Sequence, residues 1–281
     1  MNTTSLEKYN TFLELHQNGN ILVLPNIWDV LGARLLQSLG YKAVATASAS
    51  VALSNGYIDG EHIPFEKLIS IVKSISSSID IPLSVDFESG YSDNPVDLKK
   101  NVTQLISAGV AGINIEDHDL KNDQLFSIEL QCNKIKDIKK AAREMGTDLF
   151  INARTDVLLS DSKHLTAKDK FNLAVERGKE YINAGANCFY PLGLKEKQDI
   201  EKMINSLQHP INILTLPGIP DLKTLQKMGV ARVSLGPSFL KIAIKSMKDL
   251  AEKLIRLEGL DEITRNDITS DYVNGLIKNG K

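Results

Sequence analysis

The chain has 281 residues, is 42% hydrophobic and 24% charged, and carries a formal net charge of −2. That balance belongs to a globular protein with a substantial core and excludes a polyanion-binding surface, so no nucleic-acid partner is expected. No apolar run reaches the ~18 residues of a membrane helix, the N-terminus lacks the basic-then-apolar order of a secretory signal, and Cys132 and Cys188 are too few for a disulfide framework, so a cytoplasmic protein without a membrane partner is expected.

Taken along the chain, short β-rich runs recur at 21–26, 42–48, 81–87, 111–117, 148–154, 186–192, 211–217 and 231–236. The segments between them carry helical spacing of apolar residues. Leu98, Val102, Leu105 and Ile106 share one face, as do Ile128, Ile135, Ile138 and Ala142. Gly40, Gly109, Gly146, Gly185 and Gly229 fall where each helix must stop before the next strand. Eight strands alternating with helices predict an α/β fold, a closed (β/α)8 barrel of the TIM type. The alternative is a doubly wound open sheet, weakened because no strand runs into a Gly-x-Gly-x-x-Gly turn. The whole chain, 1–281, reads as one domain with a barrel core at about 20–240. Residues 240–281 form appended C-terminal helices, and around their start Phe239, Ile242, Met247, Leu250, Leu254 and Leu257 supply more apolar surface than an outer helix needs. A homodimer or homotetramer is expected.

In such a barrel, catalytic groups sit at the C-terminal strand ends. Polar residues gather there: Asn26 and Asp29, Thr46 and Ser48, Asp86 and Glu88, Asn114 and Glu116, Asn152 and Arg154. Strand alternation puts Asp86 and Glu88 on one face. Asp86, Glu88 and Glu116 on adjacent strands could not all stay ionised without a cation, and all-oxygen ligands favour Mg2+ or Mn2+ over zinc. Arg154 supplies a planar fork suited to a substrate carboxylate. A divalent ion beside an arginine suits a 2-oxo acid and an enolate formed from it.

"VDFESGY", "GINIED", "INARTD" and "GYID" stand in the order and spacing of the isocitrate lyase/phosphoenolpyruvate mutase superfamily, which the chain resembles over roughly 20–250. The resemblance implies that Asp86 touches Mg2+ directly, and that Glu88 (where the family usually has Asp) and Glu116 reach it through water. It implies that Arg154 binds substrate, that Asp59 is an acid near the reaction, and that Thr46, Ala47, Ser48 and Ala49 form the loop that holds the substrate's carboxylate. It further implies subunits that exchange a C-terminal helix.

Departures bear on the reaction. Isocitrate and methylisocitrate lyases of the superfamily carry a Lys-Lys/Arg-Cys-Gly-His loop whose cysteine is the acid, whereas 116–131 here, "EDHDLKNDQLFSIELQ", is short and lacks it. The longer gating loop of phosphonomutases is also missing. Leu192 stands where several lyases have a carboxylate after the sixth strand's proline. Cys132 and Cys188 read as buried structural thiols. His62, His164 and His209 have no ligand partners at metal spacing, and Trp28 and Tyr91 flank the mouth. The replacement proton donor is water, His118, Lys121 or Tyr91. The expected activity is an Mg2+-dependent carbon–carbon lyase or decarboxylase acting on a small 2-oxo or 2-hydroxy dicarboxylic acid. The alternatives are a phosphonopyruvate-type P–C enzyme and a non-catalytic 2-oxo-acid-binding barrel.

Overall fold

The structure, a computed structural model, describes residues 4–120, 122–160 and 164–278. It opens with α1 (Ser5–Leu15), capped by Thr4, whose side chain accepts from Glu7 N while Glu7 reaches back to the Thr4 backbone. The first barrel strand follows in two pieces, β1 (Leu22–Leu24) and β2 (Asn26–Ile27), parted by Pro25, which has no N–H to pair. Next come α2 (Val30–Ser38), β3 (Val44–Thr46), α3 (Ser48–Ser54), α4 (Phe65–Ser76), β4 (Leu83–Asp86), α5 (Pro95–Ser107) and β5 (Gly112–Glu116). A two-stranded hairpin, β6 (His118–Asp119) and β7 (Gln124–Leu125), interrupts the alternation before α6 (Ile128–Glu144). The remainder is β8 (Phe150–Thr155), α7 (Ala167–Ala184), β9 (Cys188–Pro191), α8 (Lys197–Leu207), β10 (Asn212–Leu214), α9 (Leu222–Met228), β11 (Arg232–Ser234), α10 (Ser238–Ile255), α11 (Leu260–Thr264) and α12 (Ser270–Lys278).

Parallel pairing runs β2-β3-β4-β5-β8-β9 and β1-β11-β10. A bridge between Phe189 and Ile211 joins β9 to β10, and β1 continues into β2, so the ring closes. Each expected strand is present, in the expected order. The main core lies between the outer face of this ring and the helices, with Val85, Ile113, Ile115, Ile151 and Phe189 facing outward into it. The inner face at the strand starts is filled by α1. Phe12, fully buried, meets Phe150 edge-on at 4.9 Å. Cys188 packs in this inner cluster and Cys132 in the outer core, as the expectation of structural thiols requires.

The end of the chain differs in kind. Only Leu240 of α10 is buried, and Ile242, Met247, Ile255 and Leu257 are 62%, 63%, 83% and 97% exposed. Residue Arg34 of α2 donates from Nη1 to the Leu276 carbonyl at 3.0 Å, which ties α12 to the barrel's outer layer. Among the described residues no helix is long and apolar enough to cross a membrane.

One position shows how tightly the plug fits. A Cβ on Gly112 would lie 2.9 Å from Phe12 Cε1 and 3.0 Å from both Cβ and O of Phe150. Gly112→Ala should therefore lower stability by about 1–3 kcal/mol through overpacking. Urea unfolding measures this, and an unchanged midpoint would contradict the packing described.

Candidate active site

Strand register builds the site. Asp86 pairs with Asn114, Asn114 with Asn152 and Asn152 with Cys188; one step further along, Glu116 pairs with Arg154 and Arg154 with Tyr190. Residues of one parity face the barrel axis, so Asp86, Glu116, Arg154 and Tyr190 converge at one end of the ring.

The Asp86 amide donates to Thr46 Oγ1 at 2.9 Å, and its Oδ2 accepts from the Ser48 amide at 3.1 Å. Asp59 comes from the loop after α3. The residue is exposed at the surface of the mouth, yet partial desolvation on its inner side and the charge of Asp86 raise its carboxyl above the usual range, opposed by a hydrogen bond with Ser48. Glu88 is 4% exposed, with Oε1 accepting from the Tyr91 hydroxyl at 2.8 Å and Oε2 from the Glu61 amide at 2.6 Å. Burial, and then the charge of Asp86, pushes its carboxyl up to about 8. Glu116 is equally buried, and burial likewise raises its carboxyl, against the pull of Arg154.

Every nitrogen of the Arg154 guanidinium faces a carboxylate. Nη1 lies 2.6 Å from Glu116, while Nε and Nη2 each donate to Asp156 at 2.6 Å. The bidentate edge expected to meet a substrate carboxylate is thus engaged by Asp156, the planar fork of a half-buried guanidinium matching the two carboxylate oxygens. Asp156 is itself placed by Asp117, whose Oδ1 accepts the Asp156 amide at 3.1 Å. Asp117 is fully buried, and its Oδ2 accepts from Arg177 at 2.8 Å and from the Tyr181 hydroxyl at 2.7 Å.

The expected residues divide into two groups. Asp59, Asp86, Glu88, Glu116 and Arg154 are brought together. Asn26, Asp29 and Thr46 serve the scaffold: Asn26 bonds the Thr46 carbonyl and the amides of Leu235 and Gly236, and Asp29 caps α2. Of the loop that runs from Thr46 through Ala47 and Ser48 to Ala49, the Ser48 amide is directed to Asp86. Asn114 and Asn152 bond each other at 2.8 Å inside the barrel, where the fully buried Arg232 also reaches Asn114 at 3.2 Å. Tyr91 is held by Glu88, and His118 bonds Asp123 at 3.0 Å with Asp156 4.0 Å away. Lys121 lies outside the described residues.

Tyr190 was hidden in the sequence within an apolar run. It is 5% exposed, and its hydroxyl has no hydrogen-bond partner among the described residues. Burial raises its phenol well above the usual range, against the pull of Arg154, so it stays protonated.

The chain as a whole matches a known family. The family model for phosphoenolpyruvate phosphomutase matches residues 12–255, and the chain belongs to this family. It is accordingly an enzyme of the phosphoenolpyruvate mutase/isocitrate lyase superfamily. The crystal structure of a candidate phosphonomutase from Burkholderia cenocepacia J2315 superposes with a TM-score of 0.82 at 34% identity, over 88% of this chain and 99% of that one. The 2-methylisocitrate lyase of Halalkalibacterium halodurans is 26% identical over 93% of this chain and 86% of its own length. The oxaloacetate decarboxylase of Pseudomonas fluorescens is also 26% identical, over 93% of this chain and 90% of its own.

A carboxyl raised by folding binds a proton that the unfolded chain has lost, so stability falls as pH rises between the two values. Glu88 should thus weaken the metal-free protein between about pH 4.5 and 8, with a slope of at most about 1.4 kcal/mol per pH unit. Urea unfolding of Glu88→Gln beside the parent should show the variant gaining relative stability across that window. A constant difference from pH 5 to 8 would refute it.

Proposed function

We propose that the chain is a carbon–carbon lyase or decarboxylase acting on a small 2-oxo or 2-hydroxy dicarboxylic acid through an enolate. The observation that carries this is the gathering of Asp59, Asp86, Glu88 and Glu116 at one mouth, close enough for their charges to act on one another, beside an arginine pinned by Glu116 and Asp156 at 2.6 Å. Relatives named as 2-methylisocitrate lyase and oxaloacetate decarboxylase support the reaction class.

The donor set suits hydrated Mg2+, with Mn2+ as substitute. Among the described residues no three His, Cys, Asp or Glu side chains converge closely enough to cage an ion. Mg2+ commonly keeps several waters and takes one or two carboxylates directly. Asp86 would hold it directly, and Glu88 and Glu116 through water. Bound there, it supplies Lewis-acid polarisation of the substrate's oxygens.

The remaining chemistry belongs to this chain. Arg154 keeps a fixed positive charge beside the developing enolate. The enolate carbon needs a proton, and both cysteines are packed in cores. Tyr190, adjacent to Arg154 in register and with an unengaged hydroxyl, is the donor we assign. Its O–H bond breaks as the C–H bond forms, and the phenolate then regains a proton from water.

Oxaloacetate, 2-methylmalate-type, isocitrate-type and phosphonopyruvate substrates should be screened with and without Mg2+. Mg2+-dependent cleavage of a carbon–carbon bond is expected. Tyr190→Phe should lower kcat by roughly 10²–10⁴ while leaving oxalate binding within twofold. A fully active Tyr190→Phe removes the donor assignment. Tight Mg2+-dependent oxalate binding without turnover on any acid favours a binding barrel instead, the reading to which the missing cysteine loop points.

We also propose that a second copy of the chain covers the apolar face of α10. Light scattering at micromolar concentration should give a dimer or tetramer; a monomer would contradict it.

A further inference from the structure

We propose that Glu61 is a positioning residue that locks the Asp59 loop to the Glu88 turn, so that the two acids are held in the site as one unit. The inference rests on reading both acids as site residues.

The turn after β4 has an unusual backbone. Glu88 and Tyr91 have φ of +49° and +58°, and Glu61, on the facing loop, has +58°. These are left-handed conformations that side-chain-bearing residues rarely adopt, and they persist only where surrounding contacts enforce them. Here the enforcing contacts run in both directions. Glu61 Oε1 accepts the Ser89 amide at 3.0 Å, the Ser89 hydroxyl at 2.7 Å and the Tyr91 amide at 2.8 Å. In return, the Glu61 amide donates to Glu88 Oε2 at 2.6 Å.

The turn's other fastenings come from the helical layer. The buried Lys134 donates to the Ser89 carbonyl at 3.0 Å, and Asn101 to the Gly90 carbonyl at 3.3 Å. Gly90 itself has φ +109°, and a Cβ there would lie 2.9 Å from Leu98 Cδ1. Those contacts fix where the turn sits against α5 and α6. Among these fastenings, Glu61 is the side chain that arrives from the Asp59 side. Without its carboxylate the Ser89 and Tyr91 amides lose their acceptor, the left-handed turn is free to relax, and the Glu88 carboxylate turns with it. Because Glu61 lies two residues after Asp59, the same release frees the Asp59 loop.

The test compares Glu61→Ala and Glu61→Gln with the parent protein. Glu61 is only partly buried, so both variants should fold with thermal midpoints close to the parent's. In metal-free protein, Glu61→Ala should speed amide hydrogen exchange at 88–91 while leaving β4 and α5 protected. Mg2+-dependent oxalate affinity should fall by about tenfold or more, the usual effect of removing a side chain that orients metal-site ligands. Glu61→Gln, which keeps one acceptor oxygen, should recover part of both losses. Unchanged exchange in Glu61→Ala overturns the clamp. Faster exchange with unchanged oxalate affinity overturns the positioning role. If the parent binds no oxalate with Mg2+, the reading of the site fails instead, and the exchange comparison alone decides whether Glu61 holds the turn.

Discussion

Arg154 lies between Glu116 and Asp156, 2.6 Å from each, and burial makes that arrangement untenable unless charges match. Taking a guanidinium out of water costs several kcal/mol, recovered only where well-aligned carboxylates surround it. Much of the mouth follows from this requirement. Asp156 must be held at the right height, which brings in Asp117. Glu116 must approach from the neighbouring strand, which the parallel register provides. The carboxylates left over, Asp59, Asp86 and Glu88, then have no arginine of their own. Burial raises Glu88 to about 8 for want of a nearby cation. The excess of acid over base around the mouth is what makes the proposed Mg2+ chemically sensible here.

A second layer of pairing stands behind the first. Arg177 on α7 donates to Asp117 at 2.8 Å and to the Phe126 carbonyl at 2.9 Å, and the Phe126 amide returns a bond of 2.7 Å to the Asp117 carbonyl. Asp117 and Phe126 are the two feet of the β6–β7 hairpin. One buried ion pair therefore closes the base of the shortened loop and, through the Asp156 amide, sets the carboxylate that holds Arg154. Removing one member of such a pair leaves an uncompensated buried charge, so the loop base and the arginine are energetically linked.

What could be read from the chain was whatever obeys periodicity. Asp86, Glu116 and Arg154 occupy inward positions of strands whose outward neighbours Val85, Ile115 and Ala153 are apolar, and alternation alone assigns their direction. The same logic could not separate Asn26, Asp29 and Thr46, whose side chains also bond the scaffold. Polar residues at strand ends also satisfy backbone groups where pairing stops, and nothing in the residue type separates that duty from catalysis. Glu61 was illegible for a different reason. It acts through a left-handed backbone and three acceptor bonds to a turn 28–30 residues away, and neither feature has a sequence period. Tyr190 and Arg232 were masked by their settings, "ANCFYPL" and "ARVSLG", which read as barrel filling. Arg232 does fill the barrel, yet it carries a charge there, bonding Ser234 on its own strand and Asn114 across the interior.

The short hairpin also constrains where a proton can come from. A donor on a long mobile loop must be brought to the substrate by closure, and the acid of the family's cysteine loop would arrive that way. Here the loop's feet are fastened by Asp117 and Arg177, and Cys132 packs in the outer core. Chemistry that needs a donor from above is poorly served by such a loop. A donor built into the barrel wall needs no closure, because its distance to the reacting carbon is set by strand register rather than by loop position. Tyr190, the donor proposed above, would meet that condition: Arg154 is its partner across the sheet, and the pairings of Cys188 and Pro191 with the neighbouring strand fix its register.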